Sequence, residues 1–184
     1  MAAGDLTTLA DVKAYLSITG SADDALLVDL IAKCSFAVGN YLNRNLLSQS
    51  YVERYDGQDG PLLMLRNTPV TAVTSLALNG VALAPTDGVK VGYGLAPNYV
   101  YGVGLRFSRG IQNVAISYTA GYSAVPLDVA EAVVEFVSDR YRLRGRLGEN
   151  TKSMPQGGST SYDMSYMSKK VQGSLSNYRR MIPI

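Results

Sequence analysis

Apolar and polar positions follow a helical period at both ends of the chain and a strand-like one between, with switches near residues 50 and 120. In "TTLADVKAYL", Leu9, Val12 and Leu16 share one face of a helix predicted over 8–16. Thr8 and Asp11 have capping-box spacing, in which hydroxyl and carboxylate each satisfy an orphan backbone N–H. Gly20 is a candidate left-handed cap, and Ser21 with Asp24 repeats the capping-box spacing. A longer helix is predicted over 22–43, with Leu27, Leu30, Ile31, Cys34, Val38, Tyr41 and Leu42 at steps of three and four.

Between about 50 and 120 the segments are short and rich in Val, Leu, Tyr and Thr: "YVERYDGQDG", "PLLMLRNTPV", "AVTSLALNGVAL", "VKVGYG", "NYVYGVGLRFSRG" and "QNVAISYTAGY". Asn79-Gly80 is a type I′ hairpin signal, because both residues accept positive φ. Such spacing predicts an antiparallel sheet or small sandwich. "VPLDVAEAVVEFVSDRYRLRG" returns to helical spacing over 126–144, with Pro126 in the first turn and Ala130, Val133, Val134, Val137 and Tyr141 as the buried stripe. Asp128, Glu131 and Glu135 lie early and the arginines late, which complements the helix dipole.

Residues 146 to about 168 are Gly/Ser/Thr/Tyr-rich and read as a linker or arm. Val171, Leu175, Tyr178 and Met181 then mark a short terminal helix. The expected fold is α+β: a helical bundle of two N-terminal helices and one long helix in the C-terminal half, an inserted antiparallel β-sheet or small sandwich, and an extended C-terminal arm ending in a short helix. Residues 1–145 form the main domain in this division, and 146–184 the arm.

Composition narrows the chemistry. With 47% hydrophobic and 17% charged residues in 184, the chain has apolar surface enough for a core. A net charge of +2 lacks the basic excess of a dedicated nucleic-acid binder. There is no histidine and one cysteine, so no intramolecular disulfide, zinc spacing, Ser–His–Asp or Cys–His arrangement is available. Cys34, on the apolar stripe, is expected to be a buried small hydrophobe. The start "MAAGDLTTLADVK" has no basic and apolar leader pattern, no apolar run approaches the ~18 residues of a membrane span, and a reduced cytosolic compartment fits.

Gly92 and Gly94, like Gly102 and Gly104, begin a dinucleotide fingerprint, but Pro97 and Phe107 stand where its third glycine belongs and neither stretch opens a helix. Asp56 and Asp59 read as a solvated turn rather than a calcium loop. Arg140, Arg142, Arg144 and Arg146 form either a solvated basic helix end or a contact for an acidic partner or phosphate. Tyr162, Met164, Tyr166 and Met167 lie in a polar stretch and suit either a partner or a tail folded on its own domain.

The motifs resemble those of the tailed-bacteriophage head–tail connector (adaptor, head-completion) proteins. The carrying pieces are "LTTLADVKAYL", "DDALL", the helix end "YLNR", "TPVTAVTSLALNGVAL", the junction "YTAGYSAVPLD" with its helix, and "LSNYRR". The resemblance spans most of the chain and is thinnest over 81–100 and 146–170. It implies a structural virion protein without enzymatic activity, cofactor, metal or membrane partner. Such proteins assemble as a homo-oligomeric ring, usually twelve-fold, between the portal protein and a stopper or tail protein. The ring extends the DNA channel, with transient non-specific DNA contact, and helps attach the tail and retain the genome. That role places the protein at the head–tail interface of a virion made in the bacterial cytoplasm. The terminal residues Val171, Leu175, Tyr178, Arg179, Arg180, Met181, Ile182 and Ile184 then become expected portal contacts. Arg140, Arg142, Arg144 and Arg146 become expected ring-neighbour or channel-facing residues. A tail-tube or tail-completion protein is one alternative, and a small-ligand-binding or carboxylate-based hydrolytic domain is another. For the chain alone, the terminal helix would fold back on the bundle.

Overall fold

The computed structural model describes residues 4–146, 151–153, 159–161 and 166–180. The chain divides into two compact units: Met1–Arg44 with Val125–Ile184, and Asn45–Ala124. The first unit is helical and the second is built from strands, so the fold is α+β.

In the helical unit, α1 (Leu9–Leu16) starts at Thr8, whose Oγ1 accepts from the Asp11 N–H at 3.1 Å. The Thr8 hydroxyl also donates to the Asp11 carboxylate at 2.6 Å. Ser17, not Gly20, takes the left-handed cap, at φ 57°. Its N–H reaches back to the last turn, so the helix ends at Leu16, four positions before the glycine. α2 (Asp24–Leu42) starts at Asp23 without a side-chain cap. The expected Ser21–Asp24 box does not form, because tertiary partners claim the acids: Lys13 binds Asp24 at 2.7 Å, and Tyr141 and Arg144 bind Asp23.

α2 buries Leu27, Ile31, Cys34, Val38 and Leu42. Burial pushes the Cys34 thiol up to about 11, as expected for a small core residue. By length and composition α2 is nevertheless apolar enough to cross a membrane, contrary to the expectation that no segment would be. Only 33% of that stretch is buried inside the chain.

α3 (Leu127–Leu143) has Pro126 as its N-cap rather than in its first turn, and continues as a 3₁₀ turn over Arg144–Arg146. It packs against α1, α2 and α4 (Lys169–Leu175). Three neighbours require a wider apolar face than one stripe. Val129, Ala132 and Phe136 therefore join Val133, Val134 and Val137 in the interior, while Ala130 and Tyr141 are only half-buried. Within the expected linker, a hairpin forms from β8 (Thr151–Ser153) and β9 (Ser159–Ser161).

The second unit holds β1 (Gln49–Gly57), β2 (Leu62–Met64), β3 (Val70–Leu78), β4 (Val81–Leu83), β5 (Gly92–Leu95), β6 (Tyr99–Val103) and β7 (Gly110–Ala120). One antiparallel sheet has the order β1-β7-β3-β4 and another β2-β6-β5. β3 and β4 meet at Leu78↔Val81 around Asn79 (φ 50°) and Gly80 (φ 81°), the two-residue turn expected there. Strand alternation sends Tyr55, Leu76, Val114, Ile116 and Tyr118 of the first sheet, and Leu63, Tyr93 and Val100 of the second, into one shared core. This is the small sandwich.

Inside that unit one carboxylate binds two tyrosines. Glu53 accepts from the Tyr55 hydroxyl and, at 2.8 Å, from the Tyr118 hydroxyl. Asn67 Nδ2 reaches Tyr118 Oη at 3.1 Å, and the Arg66 N–H reaches Tyr55 Oη at 2.9 Å. Burial, then the bond to Glu53, pushes the Tyr55 hydroxyl far above its ordinary range. Burial raises Tyr118 as well. Both stay protonated donors, and the cluster ties β1, β7 and the 66–67 loop together.

Candidate functional site

The terminal segment and the arginine end of α3 are the regions the sequence marks for partners. α4 begins at Ser168, whose side chain accepts from the Val171 N–H at 3.5 Å. Helical spacing then puts Val171 and Leu175 on one face, and both are 0% exposed. In this conformation they pack into the chain's own bundle, so they hold the segment in place and are not open to another chain. The fold-back alternative therefore describes these two residues.

Polar contacts fix the remainder of the segment. Tyr178 donates to the Asp128 carboxylate at 2.9 Å, near the start of α3. Tyr41 donates to the Gln172 carbonyl at 3.4 Å, and the Arg179 guanidinium lies 5.1 Å over the Tyr41 ring. The Arg180 N–H donates to the Leu42 carbonyl at 2.9 Å, satisfying one of the orphan acceptors at the end of α2. Lys170 pairs with Glu135, which raises the lysine above its ordinary value. The Arg179 side chain remains exposed. Met181, Ile182 and Ile184 lie outside the described residues.

The arginines do not act as one patch. Arg140 sits 5.0 Å over the Tyr166 ring, which in turn meets Phe136 edge-on at 5.6 Å. Arg144 stacks 3.9 Å over Tyr141 and pairs with Asp23 at 3.2 Å. The Tyr141 hydroxyl and then the Arg144 guanidinium hold the Asp23 carboxyl below its ordinary value. Arg142 is exposed, two positions away from either and so on another side of the helix. The Arg146 side chain lies outside the described residues, as do Tyr162 and Met164. Tyr166 is exposed, while Met167 is buried.

Sequence reasoning misses Asp128 as the landing point of Tyr178 and Asp23 as the partner of Arg144. In the sequence both acids look only like helix-start charges. Nothing local marks a carboxylate whose partner lies 50 or 121 positions away. Among the described residues no group of three or more Cys, Asp and Glu could hold a metal ion. The arrangement is therefore one of positioning: it holds Arg180 by its backbone beside the end of α2.

A family model described as head completion protein matches residues 5–181, which takes in both units and the terminal arginines. The chain belongs to the head completion protein family. That family is structural and not enzymatic. The fold is similar to a chain in the neck of an empty GTA particle computed with C6 symmetry, at 22% identity and TM-score 0.58, covering 98% of this chain and 93% of that one. A chain in the neck of a native GTA particle computed with C12 symmetry matches at 21% identity and TM-score 0.58, covering 98% and 92%. A chain in the virion of a native gene transfer agent (GTA) particle matches at 20% identity and TM-score 0.56, covering 98% and 93%. At these identities the likeness is one of fold. No curated protein matches the sequence.

Proposed function

We propose that this head completion protein works in the neck of a phage-like particle, as one copy of a ring between the portal and a tail-side protein. The ring continues the DNA channel and helps retain the genome and attach the tail. The observation that carries this is the family match running over residues 5–181. The fold supports it, since chains of similar fold belong to particle necks, one of them computed with C12 symmetry. Twelve copies is accordingly the expected number.

Portal contact falls to the end of the terminal segment. Arg179 is exposed and Arg180 is anchored through its backbone to the end of α2. The apolar Met181, Ile182 and Ile184 come directly after and suit a seat on another protein, with the arginines choosing an acidic or carbonyl-rich surround. Val171 and Leu175 serve this contact indirectly, by docking α4. The test is truncation after Arg180, which leaves the buried anchors intact. Portal affinity should fall by about tenfold or more, as for loss of central apolar contacts. Unchanged affinity would remove the assignment of these residues. Particles that join tails without this protein would remove the neck role altogether.

A further inference from the structure

Two faces of the chain expose large apolar side chains next to one another. The first is the outer face of the β2-β6-β5 sheet. Register sets Leu62 opposite Tyr101 and Met64 opposite Tyr99. The reverse face carries the buried Leu63, Val100 and Tyr93, so the pleat turns the first set outward. Leu62 is 53% exposed, Met64 63% and Tyr101 36%. The Tyr101 ring lies across Gly94, where a Cβ would meet it at 2.2 Å. Tyr99 stands edge-on to it, with centroids 6.4 Å apart. The three strands contain no charged residue. The result is a preformed, uncharged platform whose aromatic rings are already packed.

The second face is on α2. Ala25, Val28, Ala32 and Phe36 lie at steps of three, four and four, on a different side of the helix from its buried stripe. Val28 is 49% exposed and Phe36 73%. Beside them Asp29 and Lys33 form an ion pair, so this side carries no net charge. A helix apolar on more than one side is normally covered on more than one side. Among the described residues, Val28 and Phe36 stay exposed on this second side.

A closed ring of identical chains uses two unlike faces per copy, one toward each neighbour. We propose that the sheet platform of one copy seats the outer stripe of α2 from the next copy. This rests on the proposed ring and names its contact. A helix laid on an apolar sheet face is the usual way such a face is covered. Ala25 and Ala32 let the helix backbone approach the flat rings, with Val28 and Phe36 on either side. A net charge of +2 leaves little repulsion between copies, and an uncharged platform offers nothing to phosphate or to an acidic partner.

The test places Phe36→Cys and Tyr101→Cys in one chain that also carries Cys34→Ala, and treats assembled necks with a short thiol cross-linker. Denaturing gels should show a ladder at multiples of the chain mass, and neither single cysteine should give one. Rings visible by electron microscopy without the ladder, or ladders from the single variants, overturn the contact while leaving the ring. Absence of rings for the unmodified protein overturns the ring itself. Should the cysteine chain fail to assemble, Met64→Glu decides against Val81→Glu, which is equally exposed, at 65%, on β4. Met64→Glu should lower ring yield about tenfold or more with an unchanged thermal melt, and Val81→Glu should not. Equal effects overturn the proposal.

Discussion

Leu175→Ala gives the most direct measure of how firmly the terminal helix belongs to the bundle. The side chain is fully buried. Shortening it removes about three methylene equivalents at ~0.8 kcal/mol each, or about 2.4 kcal/mol of transfer free energy. Incomplete collapse of the resulting cavity brings the loss to about 3 kcal/mol, inside the usual range for buried leucine. In a chain of this size each kcal/mol moves the melting temperature by about 2–4 °C, so the expected fall is about 6–12 °C. Far-ultraviolet circular dichroism tracks it, because the helices lie in the unit that contains Leu175.

Ser174→Ala is the matched control. Ser174 is exposed, and its hydroxyl donates to the Lys170 carbonyl in its own turn, at 3.4 Å. Its effect should stay within about 0.5 kcal/mol. If α4 detaches before the rest unfolds, the fall is capped by the free energy of docking, but the sign does not change. A Leu175→Ala melt within about 2 °C of the Ser174→Ala melt would refute the docking, since a fully buried leucine cannot be truncated at so small a cost.

Two further outcomes test the polar ties. Tyr118→Phe removes the hydroxyl between Glu53 and Asn67, and should cost about 1–3 kcal/mol by urea denaturation. Tyr55→Phe acts on the same carboxylate, so the double variant should cost less than the two single losses combined; simple additivity would show that the cluster is not one network. Asp23 is held below its ordinary value of 3.8 by Tyr141 and Arg144. Its tie is therefore fully present above that value and is lost as pH falls through the lower folded one. Asp23→Asn should weaken the protein at neutral pH, and the gap to the parent should close in acid. A gap that stays constant with pH, measured by denaturant titration, would contradict the tie.

Helix and strand positions are legible because their causes are local. The period of 3.6 places α1, α2 and α3 to within about two residues, the strand-like stretches mark where the strands lie but not their ends, and Asn79-Gly80 names its own turn. Capping is where local reasoning fails, and the failure has a physical pattern. Asp23 and Asp24 have the right chemistry to cap α2, but their carboxylates pair instead with Arg144 and Lys13, which are remote in sequence. Ser17 takes the left-handed position expected of Gly20, because the apolar stripe of α1 ends at Leu16 and the chain must turn there. The hairpin β8–β9 has too few apolar residues to announce itself against a Gly/Ser background.

The partner surfaces are harder to read, for a reason that concerns apolar spacing itself. Val171, Leu175 and Tyr178 give the same periodic signal whether the covering face belongs to this chain or to another. Burial in the bundle resolves the first two, and the Tyr178–Asp128 bonds give the third an internal role. The opposite error arises on α2. Its strong stripe of Leu27, Ile31, Cys34, Val38 and Leu42 accounts for the helix so well that Val28 and Phe36 attract no notice in the sequence. Yet those two are 49% and 73% exposed, on a different side of the helix from that stripe. A terminal apolar run therefore says only that some surface must be covered. On α2 the exposed Val28 and Phe36 give the proposed copy-to-copy contact its helix side, and the cross-linking pair that includes Phe36 tests it.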